Sequence, residues 1–110
     1  DPASPGWLLM AALLRRLKRL AGTRPVGVAP VVYSNYVRYR MATNYWDRFA
    51  SLADDGLVPI DLLPHFRRLG EDAVRCFQDP HDMHLSADGH LVLAEALEAE
   101  LHANAMVPRA

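Results

Sequence analysis

Between Gln78 and Leu101 the sequence reads QDPHDMHLSADGHLVLAEALEAEL, and its first seven residues bring Asp79, His81, Asp82 and His84 onto a short stretch containing Pro80. Asp82 and His84 stand two residues apart, just ahead of a segment with helical character. A carboxylate at that spacing can orient an imidazole and stabilise its protonated form, leaving the second ring nitrogen to take a proton from a nucleophile. The plainer reading is turn and capping chemistry, which brings Asp and His together in loops through backbone hydrogen bonding, and on spacing alone it is the commoner one. A third reading is a metal site. His81 and His84 form an H-x-x-H pair beside Asp79 and Asp82, and imidazole and carboxylate suit zinc. It ranks last, because the helical H-E-x-x-H arrangement is absent and Cys76 is a solitary thiol. No cofactor is expected.

The elements that must position this loop can be read from caps and periodicity. SPGWLLMAALLRRLKRLAG opens with Ser4 as N-cap and Pro5 at the first helical position, and closes on Gly22 ahead of Pro25, which predicts a helix. At 100° per residue Leu9, Met10, Leu13, Leu17, Leu20 and Ala21 share the face expected to cover something apolar, with Arg15, Lys18 and Arg19 turned away. PVGVAPVVYS reads as a Val-rich strand in which Pro30 forces an edge, a bulge or an early end. From Tyr36 to Ala53 a second amphipathic helix is expected, with Ala42, Tyr45, Trp46, Phe49, Leu52 and Ala53 as packing residues. LVPID is a short strand, and LLPHFRRLGEDAVRCF is one or two helical turns interrupted at Gly70, with His65 exposed. Ser86 caps a last helix from Ala87, with Asp88 favourably placed in its first turn and His90, Leu93, Ala94, Leu97 and Leu101 as the buried stripe.

This alternation of helices and strands indicates an α/β fold with parallel strands. At 110 residues the chain has the size of one domain spanning residues 1–110, and an apolar fraction of 51% suits a packed core. Two convincing strands make a poor parallel sheet, which normally has both faces covered, so the chain reads as one end of a larger α/β domain.

The net charge of −1 gives no reason to expect a nucleic-acid partner. Five of the twelve basic residues nevertheless fall between Arg15 and Arg24. A solvated helix face is the first reading of that cluster, and a helix lying on a membrane or anionic partner the second. WLLMAALLRRLKRL places its apolar run before its basic run, the reverse of a secretory signal, and is too short to span a bilayer, so no membrane segment is expected. The single Cys76 precludes an internal disulfide and is compatible with a reducing cytosol, which slightly favours a cytoplasmic location.

The run DMHLSADGHLVLAEAL resembles the C-terminal motif of the SGNH, or GDSL-type, serine hydrolases, in which Asp and His share one loop ahead of a small-residue turn, a Gly and the final helix. RPVGVAPVV, the aromatic helix after it, and GLVPIDLLPHF are similar in order to the second half of that three-layer α/β/α, flavodoxin-like fold. The resemblance covers about residues 7–103 and implies part of a serine esterase or acyltransferase acting on an acyl ester of a lipid, sugar or small alcohol. It implies His84 as general base and Asp82 as its orienting carboxylate. The commoner family spacing would put the acid where His81 stands, and Asp79 is the reserve. No Gly-Asp-Ser block, nor any oxyanion-hole block, is present. The resemblance therefore implies that the N-terminal half of the domain, or another chain, supplies the nucleophile. Within the chain only Ser34, between a strand and a helix, is a fallback nucleophile, and its plainer role is an N-cap. A noncatalytic interaction module of the same ancestry is the alternative.

Overall fold

The computed structural model describes residues 4–39, 45–78 and 84–108. The chain forms two compact units, Asp1–Val28 with Asn44–Ile60, and Ala29–Thr43 with Asp61–Ala110.

In the first unit, helix α1 (Pro5–Ala21) begins and ends where its caps predict. The Ser4 hydroxyl accepts from the Trp7 amide at 3.3 Å. Gly22 turns the chain out with φ +63°, its N–H on the carbonyls of Lys18 and Arg19. Lys18 folds back to donate to the carbonyls of Gly22 (3.0 Å) and Arg24 (2.9 Å), neutralising the helix terminus. Strands β1 (Gly27–Val28) and β2 (Val58–Pro59) pair in parallel, with Gly27 opposite Val58 and Val28 opposite Pro59. Val58 N donates to Val26 O at 2.9 Å and Ile60 N to Val28 O at 2.8 Å. The strand expected over residues 25–34 is reduced to two residues. Pro25 and Pro30 have no N–H to offer a ladder, and they bracket what remains.

Helix α3 (Trp46–Ser51) runs into a 3₁₀ turn, Leu52–Asp55, that ends on Gly56 at φ +78°. Ala11, Leu52 and Leu57 are buried together, with Trp7, Leu14, Val26, Val28 and Phe49 packed around them. Trp7 meets Phe49 edge to face at 5.5 Å, and Tyr45 meets the same ring at 5.9 Å, so Tyr45 and Phe49 pack as expected, whereas Ala53 is exposed and Ala42 lies outside the described residues. The face of α1 that packs is not the expected one. Trp7, Ala11 and Leu14 enter the core, whereas Leu9 (63%), Leu13 (58%), Leu17 (50%) and Leu20 (76%) stay exposed. Small Ala11 lets the helix approach closely, and that contact, rather than the greatest apolar area, sets its rotation.

In the second unit the single helix expected from Tyr36 to Ala53 does not form. Helix α2 (Ser34–Arg38) ends at Tyr39, residues 40–44 lie outside the described residues, and the remainder is the α3 segment of the first unit. Helix α4 (Leu63–Arg67) is started by Asp61, whose Oδ1 accepts from Leu63 N at 3.1 Å. Arg67 ties α4 to α2 by donating through Nε (3.0 Å) and Nη2 (2.8 Å) to the Tyr36 carbonyl. Gly70 breaks the helical run at φ +60°, as its position predicts, and a 3₁₀ turn spans Gly70–Cys76. Leu62, Leu63, Phe66, Ala73, Cys76 and Phe77 are buried, with Phe66 and Phe77 rings 6.3 Å apart.

Helix α5 (Ala87–Ala103) starts as predicted, but its buried line is rotated. Gly89 and Ala96 are buried, Leu93, Leu97 and Leu101 are half-buried, and His90 and Ala94 are exposed. His65 is not exposed either. Its Nε2 lies 2.8 Å from Glu100 Oε1, both side chains being largely covered.

The described residues thus form a mixed α/β structure with a two-stranded parallel sheet and two long helices, short helices standing in place of the third long one expected. Among the described residues no helix is long and apolar enough to cross a membrane.

Candidate active site

The loop singled out by its residues is built on the second unit. Phe77 and Leu85 form an antiparallel bridge. Beside it, Gln78 N donates to His84 O at 3.0 Å and the Gln78 side-chain amide donates to Leu85 O at 3.3 Å. One residue further out, Ser86 N donates to Cys76 O at 2.9 Å and the Ser86 hydroxyl donates to Arg75 O. Residues 76–78 and 84–86 are thus pinned to each other by backbone hydrogen bonds.

From there α5 begins at once. The Ser86 hydroxyl accepts from Gly89 N at 3.1 Å, an N-cap three residues deep, and Ser86 O accepts from His90 N at 2.9 Å. Gly89 is what allows α5 to begin here. A Cβ at that position would lie 2.0 Å from the Cys76 carbonyl oxygen, inside any permissible contact. The glycine therefore sets the height of the first helical turn above the 3₁₀ segment, and with it the position of the His84 backbone.

His84 itself is exposed. Asp82, Asp79 and His81, the residues expected to partner it as carboxylate or as metal ligands, lie outside the described residues. Among the described residues no group of three or more His, Cys, Asp or Glu side chains is placed to hold a metal ion. Asp88 stands in the first turn of α5, as predicted.

Ser34 is not the N-cap it was expected to be. Tyr33 occupies the cap position and Ser34 is the first residue of α2, buried at 6% exposure. It lines a cleft of about 250 Å³ with Val37, Arg38, Glu71 and Phe77. Phe77 is also the residue bridged to Leu85, so the cleft and the anchored loop share one wall. A second cleft, about 270 Å³, lies among Val31, Val32, Phe66, Leu85, Leu93 and Leu97 and is almost wholly apolar.

Cys76 sits beneath the helix start. Burial pushes its thiol above the usual range, and the nearby Asp88 carboxylate pushes in the same direction, so the sulfur stays protonated and inert at neutral pH. Cys76 packs in the core at 2% exposure. The sequence reading missed the roles of Gln78 and Gly89. A glycine in the first turn of an otherwise strong helix is the signal that could have found the close approach.

No protein-family model, curated protein or solved structure matches this chain. What the fold and the site define is a mixed α/β protein in which backbone hydrogen bonds join residues 76–78 to residues 84–86 ahead of helix α5.

Proposed function

We propose that this chain supplies the acid–base loop of an SGNH-type serine esterase or acyltransferase, completed into a three-layer α/β/α domain by polypeptide carrying the nucleophile. The observation that supports this most is the anchored loop end. His84 is exposed, yet its backbone is fixed by Gln78 and by the capped start of α5. A general base must be reachable by substrate and held in place, and an exposed side chain on a pinned backbone suits both demands.

In this reading a serine hydroxyl attacks the acyl carbonyl while His84 takes its proton, and Asp82, with Asp79 in reserve, orients and stabilises the imidazolium. Collapse of the tetrahedral intermediate breaks the ester C–O bond, and the proton passes from the imidazolium to the leaving alkoxide. Water or a second hydroxyl then attacks the acyl-serine by the same steps. Ser34 remains the in-chain fallback for the nucleophile, although burial in the first turn of α2 leaves its hydroxyl little room to meet an ester.

A fluorophosphonate probe tests the proposal. The isolated chain should remain unlabelled, and a longer polypeptide or complex containing a Gly-Asp-Ser block should be labelled and hydrolyse an acyl ester. His84→Ala should slow that hydrolysis by about 10³-fold or more with folding intact. Labelling of the isolated chain that disappears with Ser34→Ala would move the nucleophile into these residues. Hydrolysis untouched by His84→Ala would end the proposal and favour the noncatalytic interaction module.

A further inference from the structure

Five leucines of α1 are exposed; Leu8 lies about 60° round the helix from Ala11, and the other four form an ordered surface. Leu9, Leu13, Leu17 and Leu20 stand roughly 120° to 180° round the helix from Ala11, the residue at the centre of its packed side. The helix is held to its own unit by one side and shows solvent a second apolar side. Its charges are all of one sign. Across Pro5–Ala21 there are three arginines and one lysine and no acidic residue, although the whole chain has a net charge of −1.

The four cations are not equivalent. Arg15 is engaged with Asp55 at 2.9 Å, and Lys18 donates to the carbonyls beyond the helix end. Arg16 and Arg19 are exposed. Arg16 falls three residues after Leu13 and four before Leu20, so it borders the leucine row directly, and Arg19 continues that border.

This interleaving decides what kind of surface fits. Against an apolar protein face, Arg16 would be drawn into the contact and would need a buried anion placed to meet it. Against an anionic bilayer no such preset partner is required. The aliphatic stems of Arg16 and Arg19 lie along the interface and their guanidinium groups reach lipid phosphates, while the leucines enter the acyl boundary. We infer that α1 is a membrane-surface helix, which lays its Leu9–Leu13–Leu17–Leu20 row into the interface of an anionic bilayer with Arg16 and Arg19 on the headgroups. This is adsorption and not insertion across the membrane, and it stands independently of the esterase proposal.

The test is co-sedimentation of the full 110-residue chain with vesicles of phosphatidylcholine alone and of phosphatidylcholine with phosphatidylglycerol. Binding is expected to the anionic vesicles, weakening as salt rises from about 0.1 to 0.5 M. Arg16→Gln with Arg19→Gln should weaken it about 30-fold, from about a factor of five to six per charge. Leu13→Gln with Leu17→Gln should weaken it by a similar factor or more. All four positions are solvent-facing, so circular dichroism of both variants should match the parent. Equal sedimentation with neutral and anionic vesicles, no sedimentation with either, or full binding by the leucine variant overturns the inference. So does lipid-independent dimerisation, seen by light scattering and lost in the leucine variant, which would give that face to a second copy.

Discussion

Replacing Gly89 by alanine tests how the loop is positioned, because it adds one carbon at the closest approach in the second unit. The new Cβ would sit 2.0 Å from the Cys76 carbonyl oxygen and 2.8 Å from its carbonyl carbon. An acceptable carbon–oxygen contact is about 3.3 Å, so the helix start and the 3₁₀ segment must separate by about 1 Å. The obstacle is backbone and cannot be turned aside by a rotamer change. The same carbonyl accepts from Ser86 N at 2.9 Å, and the Ser86 hydroxyl donates to the preceding carbonyl, so both hydrogen bonds stretch together.

Each lost bond costs about 1 kcal/mol, and overpacking adds about 1–3 kcal/mol. Alanine's helix propensity returns about 1 kcal/mol. The net expectation is a loss of about 2–4 kcal/mol, or a urea midpoint lower by about 1–2 M at an m-value of about 2 kcal/mol per M. Gly6→Ala in α1 is the control, since a Cβ there meets nothing within 4 Å, and its midpoint should hold or rise. Hydrogen exchange adds a local readout. The Gln78 amide, bonded to the His84 carbonyl, should lose protection in Gly89→Ala and keep it in Gly6→Ala. A Gly89→Ala midpoint equal to or above that of the parent would refute the claim that this contact sets the loop.

Phe66→Ala, at a side chain with 0% exposure, should cost about 3–5 kcal/mol by chemical denaturation and is expected to be the most damaging single truncation in the second unit. Arg67→Lys should cost about 1 kcal/mol by the same measurement, because one ammonium cannot reproduce two guanidinium N–H groups aimed at the Tyr36 carbonyl. The raised thiol of Cys76 makes stability fall at alkaline pH. The unfolded thiol deprotonates near its ordinary value of about 8.5, so above that pH the unfolded state binds fewer protons than the folded one and stability declines until the folded thiol also titrates. Urea midpoints between about pH 8 and 10 should therefore fall more steeply for the parent than for Cys76→Ala, and a thiol reagent should modify Cys76 only as the protein unfolds.

The ends of α1 and the start of α5 were legible in the sequence because they depend on nearest neighbours, although Ser34 is not the cap it was expected to be. Ser4 with Pro5, Gly22, Gly70 and Ser86 act where they were expected, each through a bond or dihedral set within a few residues. Helix rotation was not legible. In α1 the reading followed Leu9, Leu13, Leu17 and Leu20, and in α5 it included His90 and Ala94, yet contact is made through Ala11 in one and Gly89 and Ala96 in the other. Hydrophobic periodicity gives small residues little weight, although they are what permit two backbones to come close. The strands were over-read for a related reason. Val-rich composition marks β preference, but a ladder needs N–H donors and a partner, and with Pro25 and Pro30 present the ladder is limited to Gly27–Val28. Of the candidate site, the capped helix that follows His84 was legible, while Asp79, His81 and Asp82 lie outside the described residues. The anchoring of His84 by Gln78, and the dependence of that anchoring on Gly89, arise from contacts across the loop that spacing does not encode.

The bridge between Phe77 and Leu85 has an evolutionary consequence. Backbone amides and carbonyls fasten the two ends of residues 79–83, and backbone atoms are common to nearly every amino acid. The bond that joins Gln78 to His84 is drawn from the main chain alone, so a lineage can alter the chemistry at position 84 without loosening the frame beneath it.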